Sequence, residues 1–219
     1  MKGIIPFDLS ELASYNVNVD GQPEVIWQPL YDYQAYPAAG FTGNLLFFQV
    51  PIGQLLGAAI RTLEDTNMRS QGRLPTPKNA ALVSVEVFFR PGAAPSVVPG
   101  VSALAANIND VDAVHGSRMS LSLRIGDKTY LEESPLGAMP AQFRVDGLAA
   151  LAGTYAAGTT QAIGYAAFCG PLYQIVPLRL IANQEFAVTV TSPVAVPLPS
   201  AVAGRIGVRL GALQYRLAQ

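Results

Sequence analysis

The sequence predicts an all-β fold: an antiparallel β-sandwich of about eight strands, with one or two short helices in its loops. Three observations carry that expectation. Several segments alternate apolar and polar residues with a period of two, the pattern of a strand with one buried face. Proline and glycine, 17 and 20 of them in 219 residues, close nearly every such segment. Helical spacing is confined to two short stretches, and nothing repeats at a fixed period. Strand after strand joined by Pro/Gly turns argues for a sandwich rather than alternating βα units.

In chain order, residues 1–40 read as an extended arm and residues 41–219 as the sandwich domain. The arm is irregular and aromatic: "VIWQPLYDYQAYPAAGF" holds Trp27, Tyr31, Tyr33, Tyr36 and Phe41, punctuated by Pro29 and Pro37. "NLLFFQV", Asn44 to Val50, is a strand ended by Pro51. "QLLGAAIRTLEDTNM" puts Leu56, Ile60 and Leu63 at helical spacing, which fits a short helix or a loop with one helical turn. "ALVSVEVFFRPG" is a strand with Val83, Val85, Val87 and Phe89 expected on one face. A helix fits "SALAANINDVDAV": Ser102 can cap it, and Leu104, Ile108, Val111 and His115 fall on one side.

The clearest strand is "RMSLSLRIGDKTYLEE", where Met119, Leu121, Leu123 and Ile125 alternate with polar residues and Gly126-Asp127 sits where a tight hairpin reverses the chain. Two short strands are expected near Ile163 to Phe168 and Tyr173 to Val176. Alternation returns through Phe186, Val188 and Val190, and Pro193, Pro197 and Pro199 then lead to a final strand, "RIGVRLGALQYRLAQ". There Ile206, Val208 and Leu210 oppose Arg205 and Arg209. Arg216 joins the arginine row only if an extra residue enters near Gly211, as a β-bulge would supply.

Charged residues make up 13% of the chain, against about 25% in an average soluble domain. Interface cores exclude charge, so a deficit of this size fits a protein that meets neighbours on several sides. The net charge is −1 and no block of Lys and Arg occurs, so the footprint of nonspecific nucleic-acid binding is missing. Lone Cys169 excludes an internal disulfide framework and reads as a small buried hydrophobe. The apolar run Ile4 to Phe7 is too short for the core of a secretion signal. Gly147 to Leu178 carries no charge, but its glycines, prolines and threonines argue against a membrane-spanning helix.

Chemistry-bearing motifs are sparse. One histidine precludes a His-rich metal cluster, and G-x-S-x-G, P-loop and G-x-G-x-x-G patterns do not occur. "NINDVDAVHGS" crowds Asp110, Asp112, His115 and Ser117, which could serve acid–base work or a weak cation site. Ordinary solvated helix features followed by a His-Gly stop explain it better, and Val111 stands where an EF-hand would need a ligand. No catalytic residue, metal or cofactor is expected. Trp27, Tyr31, Tyr33 and Tyr36 suit either a sugar-stacking platform or packing on a neighbouring subunit, where aromatics are enriched. Arg205, Arg209 and Arg216 suit salt bridges across a subunit contact.

This layout of a charge-poor sandwich, an aromatic arm, long Pro/Gly loops and a last strand closing the chain resembles the single jelly-roll capsid proteins of icosahedral viruses. The resemblance lies in arrangement and covers the whole chain. It implies eight strands in two Greek-key sheets, subunits gathered as trimers or pentamers, and arms and loops that lock neighbours. A virion structural protein, as in a bacteriophage, is then expected, with copies of itself and other virion proteins as partners. Expected contact residues are Trp27, Tyr31, Tyr33, Tyr36, Phe41, Arg205, Arg209 and Arg216. Many such proteins carry a basic arm for the genome and this chain has none. It therefore suits a shell separated from its genome, for example by a membrane, or a decorating or vertex protein. A carbohydrate- or receptor-binding module on the same sandwich, with Tyr31, Tyr33 and Tyr36 as the platform, is the alternative.

Overall fold

The computed structural model describes residues 23–92, 103–133, 136, 142–143, 149–150, 163–164, 168–169 and 172–217. In chain order its elements are β1 (Pro23–Trp27), β2 (Leu30–Tyr36), β3 (Gly43–Phe47), the small hairpin β4 (Leu55–Leu56) and β5 (Ala59–Ile60), and β6 (Asn79–Arg90). Helix α1 (Ala103–His115) precedes β7 (Ser120–Ile125) and β8 (Lys128–Glu133). The two-residue strands β9 (Gln142–Phe143), β10 (Ala149–Ala150), β11 (Ile163–Gly164) and β12 (Phe168–Cys169) lead to β13 (Tyr173–Leu180), β14 (Phe186–Ser192) and β15 (Gly204–Leu217).

Two sheets enclose the core. In the larger, β1 and β2 lie end to end along one edge of β15. The other edge of β15 pairs with β6, and β13 and β9 continue beyond β6. The smaller sheet runs β3-β14-β7-β8. With β1 and β2 counted as one, the eight long strands stand in the order first, eighth, third, sixth in one sheet and second, seventh, fourth, fifth in the other. That antiparallel connectivity, crossing repeatedly between sheets, is a jelly roll.

Alternation dictates the core. Leu121, Leu123 and Ile125 of β7 meet Phe186, Val188 and Val190 of β14 across the ladder. They face Val85, Val87 and Phe89 of β6 and Ile206, Val208 and Leu210 of β15 from the other sheet. Burying one such side chain is worth roughly 1.5–3 kcal/mol, so these two rows carry much of the stability. Gly126 adopts φ 58° in the two-residue turn that joins Ile125 to Lys128, as the Gly-Asp pair predicts.

Four expectations are corrected. First, the boundary at residue 41 falls inside the body: residues 23–36 belong to the large sheet, and Leu30, Tyr33 and Tyr36 are buried there. Pro29 interrupts the strand at the β1/β2 junction, and it was this punctuation that read as an arm. Second, of the two readings of the 54–68 segment the short helix does not form and the loop with one helical turn does, preceded by a hairpin. Leu55 pairs with Ile60 in the β4/β5 hairpin, and the one helical turn follows at 62–66, where Asp65 N and Thr66 N donate to Thr62 O (3.0 and 3.1 Å).

Third, Val83 leaves the row of Val85, Val87 and Phe89. Gly211 pairs with Ser84 and Ala212 with Leu82, so Val83 is surplus and packs outside with Ala81 and Leu213. Fourth, the irregularity expected near Gly211 exists, but its extra residue stands in β6. The device that would bring Arg216 into the arginine row is therefore missing from β15. Arg216's side chain lies outside the described residues, as do Ser102 and the side chains of Leu104 and Ile108. Among the described residues one helix forms, and no helix is long and apolar enough to cross a membrane.

Candidate functional site: the outer face of the large sheet

Pairing of β15 with its neighbours places Trp27 opposite Leu213, Tyr31 opposite Arg209 and Tyr33 opposite Gly207. Arg205, Gly207, Arg209, Gly211 and Leu213 of β15 stand on the side away from the core, so Trp27, Tyr31, Tyr33, Arg205 and Arg209 share one outer face. Of the eight expected contact residues these five come together. Tyr36 and Phe41 do not. Tyr36 is fully buried, its ring edge-on to Phe41 and Phe89, and its hydroxyl donates to Val196 O (2.8 Å). Burial pushes its phenol up to about 12. It is an internal strut, which corrects its assignment as a clamp on a neighbour. Phe41 is partly buried against the same core.

Two glycines shape the face. A Cβ at Gly207 would collide with the ring carbons of Tyr33, and one at Gly211 would collide with Ser84 Oγ and lie 2.9 Å from Trp27 Cη2. Absence of a side chain therefore lets both rings lie across the sheet. The guanidinium carbons of Arg90 and Arg205 stand 4.8 and 5.6 Å from the Tyr33 ring centre, within cation–π range. Arg205 also pairs with Asp65.

The loop at 61–67 fastens this edge. Tyr33 N donates to Asp65 O (2.7 Å), Tyr31 OH to Leu63 O (2.6 Å) and Thr66 Oγ1 to Tyr31 O (3.0 Å). Asp32 and Arg61, both buried, form an ion pair, and Asp32 also accepts from Phe48 N (2.5 Å). The otherwise open edge of β2 is thus covered, as exposed sheet edges require. Burial would raise the Asp65 carboxyl, but hydrogen bonds from Thr62 and the charges of Arg205 and Arg61 outweigh it and hold the group below its usual range.

At the centre sits Glu86, 2% exposed. Ser84 Oγ donates to its Oε1 (3.2 Å), and Arg209 Nη1 stands 3.7 Å from its Oε2. Burial raises its pKa more than Arg209 and Ser84 lower it. Glu86, Arg90, Arg61 and Asp32 join the site although no motif in the sequence marks them. A signal was present for the first: one acid inside the apolar strand "ALVSVEVFF" needs a partner.

The Asp110–Ser117 group divides into structural tasks. Asp110 accepts from Ser200 N (2.9 Å) and Ser200 Oγ (2.6 Å), tying α1 to the turn before β15. Ser117 donates to Val114 O (2.6 Å) at the helix end, and Asp112 is exposed. His115 is buried, which lowers its pKa. Among the described residues, no three of His, Cys, Asp and Glu converge on a point that would hold a metal ion.

Comparison with protein-family models, with curated proteins and with solved structures yields no match.

Proposed function

We propose that this chain is a structural protein of a virion, a capsid or capsid-associated subunit that assembles with copies of itself into an icosahedral shell. The observation that carries the reading is a charge-poor jelly roll on which several large apolar side chains remain at the surface. Leu46, Leu55, Ile60, Leu63, Val176 and Val194 are each more than half exposed. Leu55 and Ile60 stand side by side on the β4/β5 hairpin. Apolar residues scattered singly are ordinary, but two exposed apolar side chains paired on one hairpin suit contact with a neighbour. Because the backbone of residues 23–36 is committed to the chain's own sheet, only outward side chains of that segment, Trp27 and Tyr31, remain for neighbour contact, together with Arg209 and this hairpin.

Sedimentation and light scattering of the purified protein over a hundredfold concentration range test the reading. Oligomers of trimer size or larger are expected, and L55D/I60D should shift them toward monomer while the circular dichroism spectrum is kept. A monomer at every concentration would sink the proposal. The carbohydrate- or receptor-binding alternative draws support from Trp27, 46% exposed on the same face as partly exposed Tyr31. Selective signals on a glycan array, abolished by W27A, would favour it.

A further inference from the structure

Where β1 passes into β2, a cleft of about 260 Å3 opens between that corner and the 63–78 loop, away from the outer face. Its chemistry is layered. Leu30, Met68 and Leu74 form a floor that is 2–3% exposed and continuous with the core. Arg69, Arg73 and Lys78 stand around the mouth, Arg69 and Lys78 exposed and Arg73 partly so. No carboxylate is among the described lining residues, although Arg73 also reaches out to Glu185 (2.7 Å).

The walls are fixed before any ligand arrives. Asn67 Nδ2 donates to Pro29 O (2.7 Å) and its Oδ1 accepts from Tyr31 N (3.0 Å), while Gln214 Nε2 donates to Gln28 O (3.0 Å). An apolar floor beneath a cationic rim, held by satisfied amides, is the arrangement of a site for a molecule with an apolar tail and an anionic head.

We propose that this cleft binds a small free amphipathic anion, an aliphatic carboxylate of medium chain length, with its tail along Ile26, Leu63 and Pro75 above the buried floor and its carboxylate between Arg69, Arg73 and Lys78. At about 260 Å3 the cleft falls just below the roughly 300–1,000 Å3 of sites for drug-sized ligands, which limits the tail to medium length. The order of polarity argues against a lipid held in a bilayer. Such a lipid would enter headgroup first and meet the apolar floor, whereas here the tail goes in and the head stays at the rim. The inference stands independently of shell assembly.

Titration calorimetry of the full chain with sodium octanoate, acetate, octanol and octyl phosphate tests it, alongside phosphatidylglycerol/phosphatidylcholine vesicles. One-to-one octanoate binding is expected, at least tenfold tighter than acetate or octanol. R69A/K78A, which alters two exposed side chains, should weaken octanoate at least tenfold and leave octanol unchanged, with an unaltered melting curve. Octyl phosphate binding within tenfold of octanoate, lost in the same variant, would show that the rim reads charge and would support the site. Equal affinity for octanol and octanoate, indifference to R69A/K78A, no saturable binding up to about 10 mM, or binding to vesicles alone would each overturn it.

Discussion

The outer faces of the two sheets are built differently. On the small sheet, Ser120, Ser122 and Arg124 of β7 lie beside Thr189 and Thr191 of β14, and Thr191 Oγ1 donates to Asn44 Oδ1 (2.8 Å). That is a half-exposed polar face of the ordinary kind. On the large sheet, Glu86, Ser84, Ala81, Val83, Leu213 and Tyr33 are all buried, and charge is set against charge and ring against glycine. Position relative to the core is the same for both faces, so depth alone does not account for the contrast. Specific side-chain geometry is invested where the chain has something to hold in place. The large sheet's outer face is therefore the one to perturb.

Removal of residues 1–40 should break the comparison outright. It takes away β1 and β2 with buried Leu30 and Tyr36, so the product should fail to fold and give no cooperative melt. Y36A alone should cost about 3–5 kcal/mol in urea unfolding, the usual loss for a buried aromatic. Next in size is G207V, which drives a side chain into the space of the Tyr33 ring and should cost about 1–3 kcal/mol. Combining it with Y33A should cost less than the sum of the two single changes by about 1 kcal/mol or more. Strict additivity would show that ring and glycine do not share the space.

The pH dependence sharpens the contrast further. Glu86 binds its proton more tightly folded than unfolded, so its contribution is fully present below the ordinary glutamate value near 4.3 and is lost as pH rises through the raised folded value. E86Q should flatten that part of the stability-against-pH curve. His115 acts with the opposite sign. Its folded pKa lies below the ordinary value near 6.5, so stability falls as pH drops below about 6.5, and H115Q should remove that loss. The smallest effect belongs to the small sheet. S122V and T189V should each change stability by within about 0.5 kcal/mol, and a larger loss would mean that this face also has fixed partners.

Strands with strict alternation were legible residue by residue: Leu121, Leu123 and Ile125 are buried as their spacing requires, and Gly126-Asp127 turns where it should. The helix at Ala103–His115 was legible from a different period, the helical spacing that sets Val111 and His115 on one buried side. Legibility failed where pairing across long separations decides. Trp27 to Tyr36 carry Pro29 and place aromatics on both faces, Tyr31 and Tyr33 outward and Tyr36 inward, which obscures a period of two, and only β15, some 180 residues away, makes them strands. Val83 was misplaced because a surplus residue in one strand is visible only against its partner. At the candidate site, Arg205 and Arg209 were readable as a row in one strand, whereas Arg90, Glu86 and Asp65 come from distant segments that no local pattern links to them.

β15 is the last strand in chain order yet stands inside the large sheet, holding β1 and β2 on one edge and β6 on the other. A growing chain consequently exposes the unsatisfied amides of three earlier strands until residues 204–217 arrive, and late closure of this kind is slow and prone to pairing between molecules. Synthesis rate and the crowding of nascent copies should therefore govern how much of this protein reaches its native state.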